Sequence, residues 1–136
     1  MTSPMPAGLL LAALAALPGT GQAAEAMSGA AFGAYVGGKT LTYAHDGVVY
    51  GMEQYLPQGR VIWRHVDGPC EEGVWFERDG QICFDYGDGI PLQCWQFVEE
   101  GGRLGARSQS DPSGTWLYEV RRSSEPMDCP APYLGT

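Results

Sequence analysis

The sequence predicts an all-β protein: an eight-stranded antiparallel up-and-down barrel entered through a short N-terminal helical turn, with a β-sandwich as the alternative. Three observations carry that prediction. Short strand-forming runs recur about every ten residues. Tight turns separate them, several of the Asp-Gly type that suits a two-residue hairpin. Eight such strands laid out in an open sheet would leave unpaired edges, which closure into a barrel removes.

Taken in order, residues 1–26 read as a secretory signal peptide. Residues 7–17 (A-G-L-L-L-A-A-L-A-A-L) are an apolar run of 11, broken by Pro18, Gly19 and Gly21. Small residues stand at cleavage spacing, Gly21 with Ala23 or Ala24 with Ala26. No Lys or Arg precedes Lys39, so the amino end offers only its terminal amine. The run is shorter than the roughly 20 apolar residues a membrane-crossing helix needs. The expected location is therefore periplasmic or secreted, without stable membrane insertion after cleavage. Residues 27–38 (M-S-G-A-A-F-G-A-Y-V-G-G) lack strand alternation. They read as a helical turn whose Phe32, Tyr35 and Val36 plug or cover a core.

The barrel domain is expected over residues 39–122. Strand signals at 41–45 and 48–56 flank Asp46-Gly47, and Pro57-Gln58-Gly59 turns into 60–66. A longer loop, D-G-P-C-E-E-G, leads to 73–77. A double hairpin fills residues 73–98 through the turns Asp79-Gly80 and Asp88-Gly89. Gly101-Gly102 then turns into 103–108, and D-P-S-G precedes 115–122. The Pro-rich tail, 123–136, is held by Cys129.

A two-residue loop at Asp88-Gly89 sets Gly87 opposite Ile90, Tyr86 opposite Pro91, Phe84 opposite Gln93 and Cys83 opposite Cys94. The cysteines number four, Cys70, Cys83, Cys94 and Cys129. An even count in an exported chain reads as disulfides. Of the three pairings four cysteines allow, the register favours Cys83–Cys94, which leaves Cys70–Cys129. That turn makes 83/94 a hydrogen-bonded pair, where a cross-strand bridge fits less well, and a one-residue bulge would relieve the misfit.

Alternation assigns an interior of Leu41, Tyr43, Tyr50, Val61, Trp63, Trp75, Ile82, Phe84, Tyr86, Trp95, Phe97, Trp116, Tyr118 and Val120. An eight-stranded barrel is either filled by side chains or holds one small ligand, and the size of these residues favours filling. Val74, Phe76, Leu92 and Val98, beside Cys83 and Cys94, make a second apolar face. Either the tail or residues 27–36 should cover it, and failing both it marks a partner site.

The chain carries 8 basic and 16 acidic side chains, a net charge of −8. Cleavage after Ala26 removes only Glu25 among them, leaving 8 against 15, or −7. That balance argues against nucleic acid and anionic lipid as partners. Nucleophilic catalysis needs an activated Ser or Cys beside a base, yet G-x-S-x-G is absent and the cysteines are assigned to bridges. Cysteine spacings of 12, 10 and 34 match no zinc pattern, and C-x-x-C-H is missing. Asp85-Tyr-Gly-Asp-Gly resembles a calcium loop only in outline, since its twelfth position is Gln96. Neither metal nor cofactor is expected. Glu71-Glu72 reads as part of a solvated loop. The candidate binding residues are Trp63, Trp75, Trp95, Trp116, Tyr43, His45 and His65, with both histidines expected to face inward.

Gly38-Lys-Thr-Leu, Tyr55-Leu-Pro-x-Gly-Arg, Gly73-x-Trp, Gln81-Ile-Cys-Phe and Cys94-Trp, in this order after a signal peptide, resemble a family of small secreted bacterial proteins of unknown function. The resemblance runs from Gly38 to about Trp95 and implies an exported β-rich domain without assigning catalytic residues. The expected architecture is also similar to lipocalin-like carriers and to small periplasmic barrels that inhibit secreted proteases through an N-terminal segment. Fold alone does not fix function. The expectation is a non-enzymatic binding module for an envelope or secreted protein partner. The alternatives are a small-hydrophobic-ligand carrier and a hydrolase-type enzyme using His45 and His65. Oligomeric state is not legible.

Overall fold

The computed structural model describes residues 1–6, 8–9, 11–19, 24–111 and 113–129. The cleavage candidates Gly21 and Ala23, and residues 130–136 of the tail, lie outside the described residues. One helix, α1 (Gly29–Val36), precedes eight strands: β1 (Thr40–His45), β2 (Val48–Tyr55), β3 (Arg60–His65), β4 (Cys70–Arg78), β5 (Gln81–Asp85), β6 (Gln93–Glu100), β7 (Arg103–Ser108) and β8 (Trp116–Ser123). They pair antiparallel in chain order and β8 returns to β1, closing the barrel. Among the described residues, no helix is long and apolar enough to cross a membrane.

The turn chemistry works as expected at most corners. Asp46-Gly47, Asp79-Gly80 and Gly101-Gly102 all have positive φ at both residues, the requirement of the tight hairpin turn whose twist matches the strands. The turn at Asp88-Gly89 differs. Asp88 is not among the residues with positive φ, and residues 86–92 form a loop between β5 and β6. Pro91 has no N–H with which to extend the ladder opposite Tyr86. The register beyond the loop is nevertheless the expected one, with Phe84 opposite Gln93 and Cys83 opposite Cys94. The Cys83 and Cys94 Cα atoms are 4.0 Å apart, nearer the ~4.5 Å of a non-hydrogen-bonded pair than the ~5.5 Å of a bonded one. The longer loop frees the ladder from the phase a two-residue turn would impose.

Two β-bulges set which side chains face inward. Tyr43 pairs with Gly51 but Ala44 with Val49, so Tyr50 is an extra residue in β2. Thr42 pairs with Arg121 but Tyr43 with Glu119, so Val120 is extra in β8. Each bulge reverses the alternation along its strand. Glu53 and Tyr55 therefore turn inward and are buried, as are Leu117 and Glu119. Trp116, Tyr118 and Val120 do not line the interior as alternation predicts. Trp116 and Tyr118 stack on the outer wall with centroids 6.1 Å apart. Arg103 and Arg107 cover them, with guanidinium carbons 4.5 and 5.5 Å from the Tyr118 and Trp116 rings.

Helix α1 seals one end. Ser28 caps it by accepting from the Ala31 N–H, and the Gly29 N–H donates to Glu77 at the end of β4. Phe32 is fully buried. Its ring lies 4.6 Å from Phe97, 5.0 Å from Trp75 and 5.6 Å from Tyr55. Gly33 leaves room for the Trp75 ring, which would come within 3.3 Å of an added Cβ. Tyr35 donates to Glu119 at 2.6 Å, with Arg122 over its ring at 4.3 Å. Burial, then the bond to Glu119, push the Tyr35 hydroxyl up to about 12. Residues 27–36 thus plug the barrel's base and do not cover the second apolar face.

The tail does not cover that face either. From β8 it crosses the outside of β1, β2 and β3. Thr40 donates to the Glu125 carbonyl, the Met127 N–H to Gln54, and Arg64 to the Asp128 carbonyl. The Cys70–Cys129 bridge anchors its end to β4. The strap buries Met127 and leaves Val74, Phe76 and Leu92 43%, 37% and 40% exposed. Val98, opposite Gly105, is buried. With sequence separations of 59 and 11, the two bridges contribute about 4 and 3 kcal/mol by loop entropy. Two disulfides and no free cysteine among the described residues fit an oxidising extracellular or periplasmic environment.

Phe32→Ala should lower stability by about 3–5 kcal/mol, the usual cost of removing a buried phenyl ring. Val120→Ala, on the exposed bulge, should change it by under about 0.5 kcal/mol. Urea unfolding of the oxidised domain measures both, and equal midpoints would contradict the plug.

Candidate functional site

The end opposite α1 is open, and the interior beneath it is the candidate site. Strand direction puts four connections around this mouth: Asp46-Gly47, residues 66–69, residues 86–92 and residues 109–115. Each contains one aspartate, namely Asp46, Asp67, Asp88 and Asp111, and none contains Lys or Arg. Most of the basic residues (Lys39, Arg60, Arg78, Arg103, Arg121 and Arg122) fall at the strand ends near α1. Exposed apolar side chains accompany the acidic loops: Val48, Val49, Tyr50, Val66 and Leu92.

Below the rim, Tyr50, Trp63 and His65 make an edge-on aromatic cluster, with His65 5.1 Å from each of the other two rings. Gly51 makes it possible: an added Cβ would stand 2.5 Å from the Trp63 ring and 2.7 Å from the Arg64 carbonyl oxygen. Gly73 does the same for Tyr86, whose ring would come within 2.6 Å. The cavity these rings enclose has about 40 Å³ of free volume, room for a few waters. Its walls are Tyr43, Tyr55, Phe84, Tyr86, Trp95 and Phe97, with Ala106, Leu117, Gln93 and Glu53, and contain no Lys or Arg.

Two polar pairs cross the cavity. Tyr43 and Tyr55 share a hydrogen bond of 2.9 Å between their hydroxyls. Tyr86 donates to Glu53 Oε1 at 2.9 Å. Glu53 Oε2 is buried without a partner. Desolvation pushes the Glu53 carboxyl well above its ordinary value; the Tyr86 bond opposes this, and the nearby charge of Glu71 adds to it. Burial likewise raises the hydroxyls of Tyr43, Tyr55 and Tyr86. Glu71 lies on β4 opposite Trp63, so it shares the inward face. The expected solvated loop at Glu71-Glu72 is strand, because β4 begins at Cys70.

The candidate residues divide accordingly. Trp63, Trp95, Tyr43 and His65 meet at the cavity. Trp75 packs deeper, against Phe32, and Trp116 is on the outer wall. His45 does not face inward: it is exposed, its Nδ1 3.1 Å from the Trp116 carbonyl oxygen and its Nε2 3.3 Å from Asp46. The two imidazoles keep separate neighbours. No cluster of three or more metal-ligating side chains occurs among the described residues. Glu53 and Glu71 escape the sequence reading because one depends on the β2 bulge and the other on a strand that starts early. No family model, curated protein or solved structure matches this chain.

A buried carboxyl with a raised pKa stabilises the fold below its unfolded value, near 4.5, and that contribution is lost as pH rises toward the folded value. Glu53→Gln keeps an acceptor for Tyr86 and removes the titration. Wild type should therefore lose stability relative to Glu53→Gln as pH rises from 5 to 8, by at most about 1.4 kcal/mol per unit. Urea midpoints of the two proteins across that range check this, and parallel profiles would contradict it.

Proposed function

We propose that this protein is an exported, non-enzymatic binding module of the cell envelope or secreted space, and that its open end engages a basic surface of a protein partner. The observation that carries the reading is the composition of that end: exposed Val48, Val49, Val66 and Leu92, interleaved with an aspartate in every loop. Exposed apolar surface set among charges is characteristic of interaction sites, and the four rim aspartates favour partners of the opposite sign. The signal-peptide pattern and the two disulfides support export, and the motif resemblance to small secreted proteins points the same way.

Other readings have less support. A lipocalin-like carrier needs a cavity of about 300 Å³ or more, against about 40 Å³ here. A hydrolase built on His45 and His65 would need them in one cleft. Inhibition through residues 27–37 would require freeing a helix whose Phe32 and Val36 are fully buried.

The immobilised, oxidised mature domain should retain a partner from the native envelope fraction, and release it as salt rises, since exposed charge pairs are screened. Val48→Asp with Val66→Asp should cut retention at least about tenfold, the effect of losing about 1.4 kcal/mol, while leaving the urea midpoint unchanged. Undiminished retention by the double variant would contradict the assignment of the surface.

A further inference from the structure

We infer that the cavity under the open end is a receptor for a compact primary ammonium group, held between the aromatic walls and the Glu53 carboxylate. Three features meet there. Glu53 is 1% exposed, and its Oε2 has no hydrogen-bond partner. An unpartnered oxygen on a buried carboxyl is costly, and an ammonium donor there would satisfy it and favour the ionised form that burial opposes. Trp63, Trp95, Tyr43, Tyr55 and Tyr86 present rings to the same space, and aromatic faces attract cations most strongly where water is excluded. No Lys or Arg lines the space to compete as the counter-charge.

Size favours a small cation: about 40 Å³, room for a few waters, suits an ammonium with a short alkyl stem. The mouth, flanked by exposed Tyr50 and His65, offers a way in. The same head group can come from a free small amine or from a lysine side chain on a partner. The inference rests on the open end being the binding end, and it names the chemistry recognised there.

Binding should depend on pH through Glu53, which must be ionised to hold the cation. The titratable groups facing it are Tyr86 beyond β5, Tyr43 on β1, Tyr55 on β2, His65 on β3 and Glu71 on β4. The cavity lining contributed by β6, β7 and β8 among the described residues is neutral: Gln93, Trp95, Phe97, Ala106 and Leu117. Acidification neutralises Glu53, whose carboxyl burial already pushes above its ordinary value, and that opposes a cation.

The test is titration of the oxidised mature domain with methylammonium chloride, followed by the fluorescence of Trp63 and Trp95. Methanol, tetramethylammonium chloride and sodium chloride serve as controls. A saturable change with methylammonium alone is expected, at least tenfold weaker in Glu53→Gln and weaker at pH 5 than at pH 8. Nα-acetyl-lysine methylamide distinguishes the sources: saturation by it as well assigns a lysine side chain, and saturation by methylammonium only assigns a free amine. Equal responses to methanol and methylammonium, or full binding by Glu53→Gln, would overturn the inference and leave a cavity that holds water. Partner retention on the apolar rim would survive that result, so the two readings fail separately.

Discussion

Closure of the sheet at the β1–β8 seam is the constraint on which everything else depends. Strands in a barrel must coil, and an added residue in one strand of a pair supplies the local bend. Here β1 faces a bulge on each side, Tyr50 in β2 and Val120 in β8. Both bulges change the phase of alternation in mid-strand. As a result two carboxylates, Glu53 and Glu119, are buried in a core that is mostly aromatic and aliphatic.

The two acids meet different fates. Glu119 lies at the sealed end, where Tyr35 and the Leu104 N–H donate to it and Arg122 stands 3.4 Å away. It ties helix α1 to the closing seam. Glu53 lies in the cavity wall with a single donor, Tyr86. The acid at the sealed end is thus satisfied, and the one in the cavity keeps an oxygen without a partner. The tail and its Cys70–Cys129 bridge brace the seam from outside, running over β1, β2 and β3 to β4.

Much of this was legible in the sequence. Turn residues marked the corners, and Asp46-Gly47 and Asp79-Gly80 adopt the backbone their chemistry requires. The Cys83–Cys94 register followed from counting, although the loop at residues 86–92 is longer than counting assumed. Phe32 and Val36 stood out as apolar residues outside any strand pattern, and they fill the base. What the sequence concealed was inward or outward orientation past each bulge. Alternation is a local signal, whereas a bulge answers to the geometry of the whole barrel. Trp116 and Tyr118 therefore seemed internal and are external, while Glu53, which alternation did not assign to the interior, is buried. Glu71 was hidden differently: a pair of glutamates next to a cysteine has loop composition, and only pairing with Trp63 makes it strand.

The most direct measurement is a ¹³C NMR titration of the side-chain carboxyl carbons in the oxidised protein. Glu53 should titrate well above the ordinary glutamate value of 4.5, apart from the exposed carboxylates of the rim. A Glu53 carboxyl that titrates at that ordinary value would mean that it faces water. The bulge-driven inversion of β2, and the site built on it, would then be wrong.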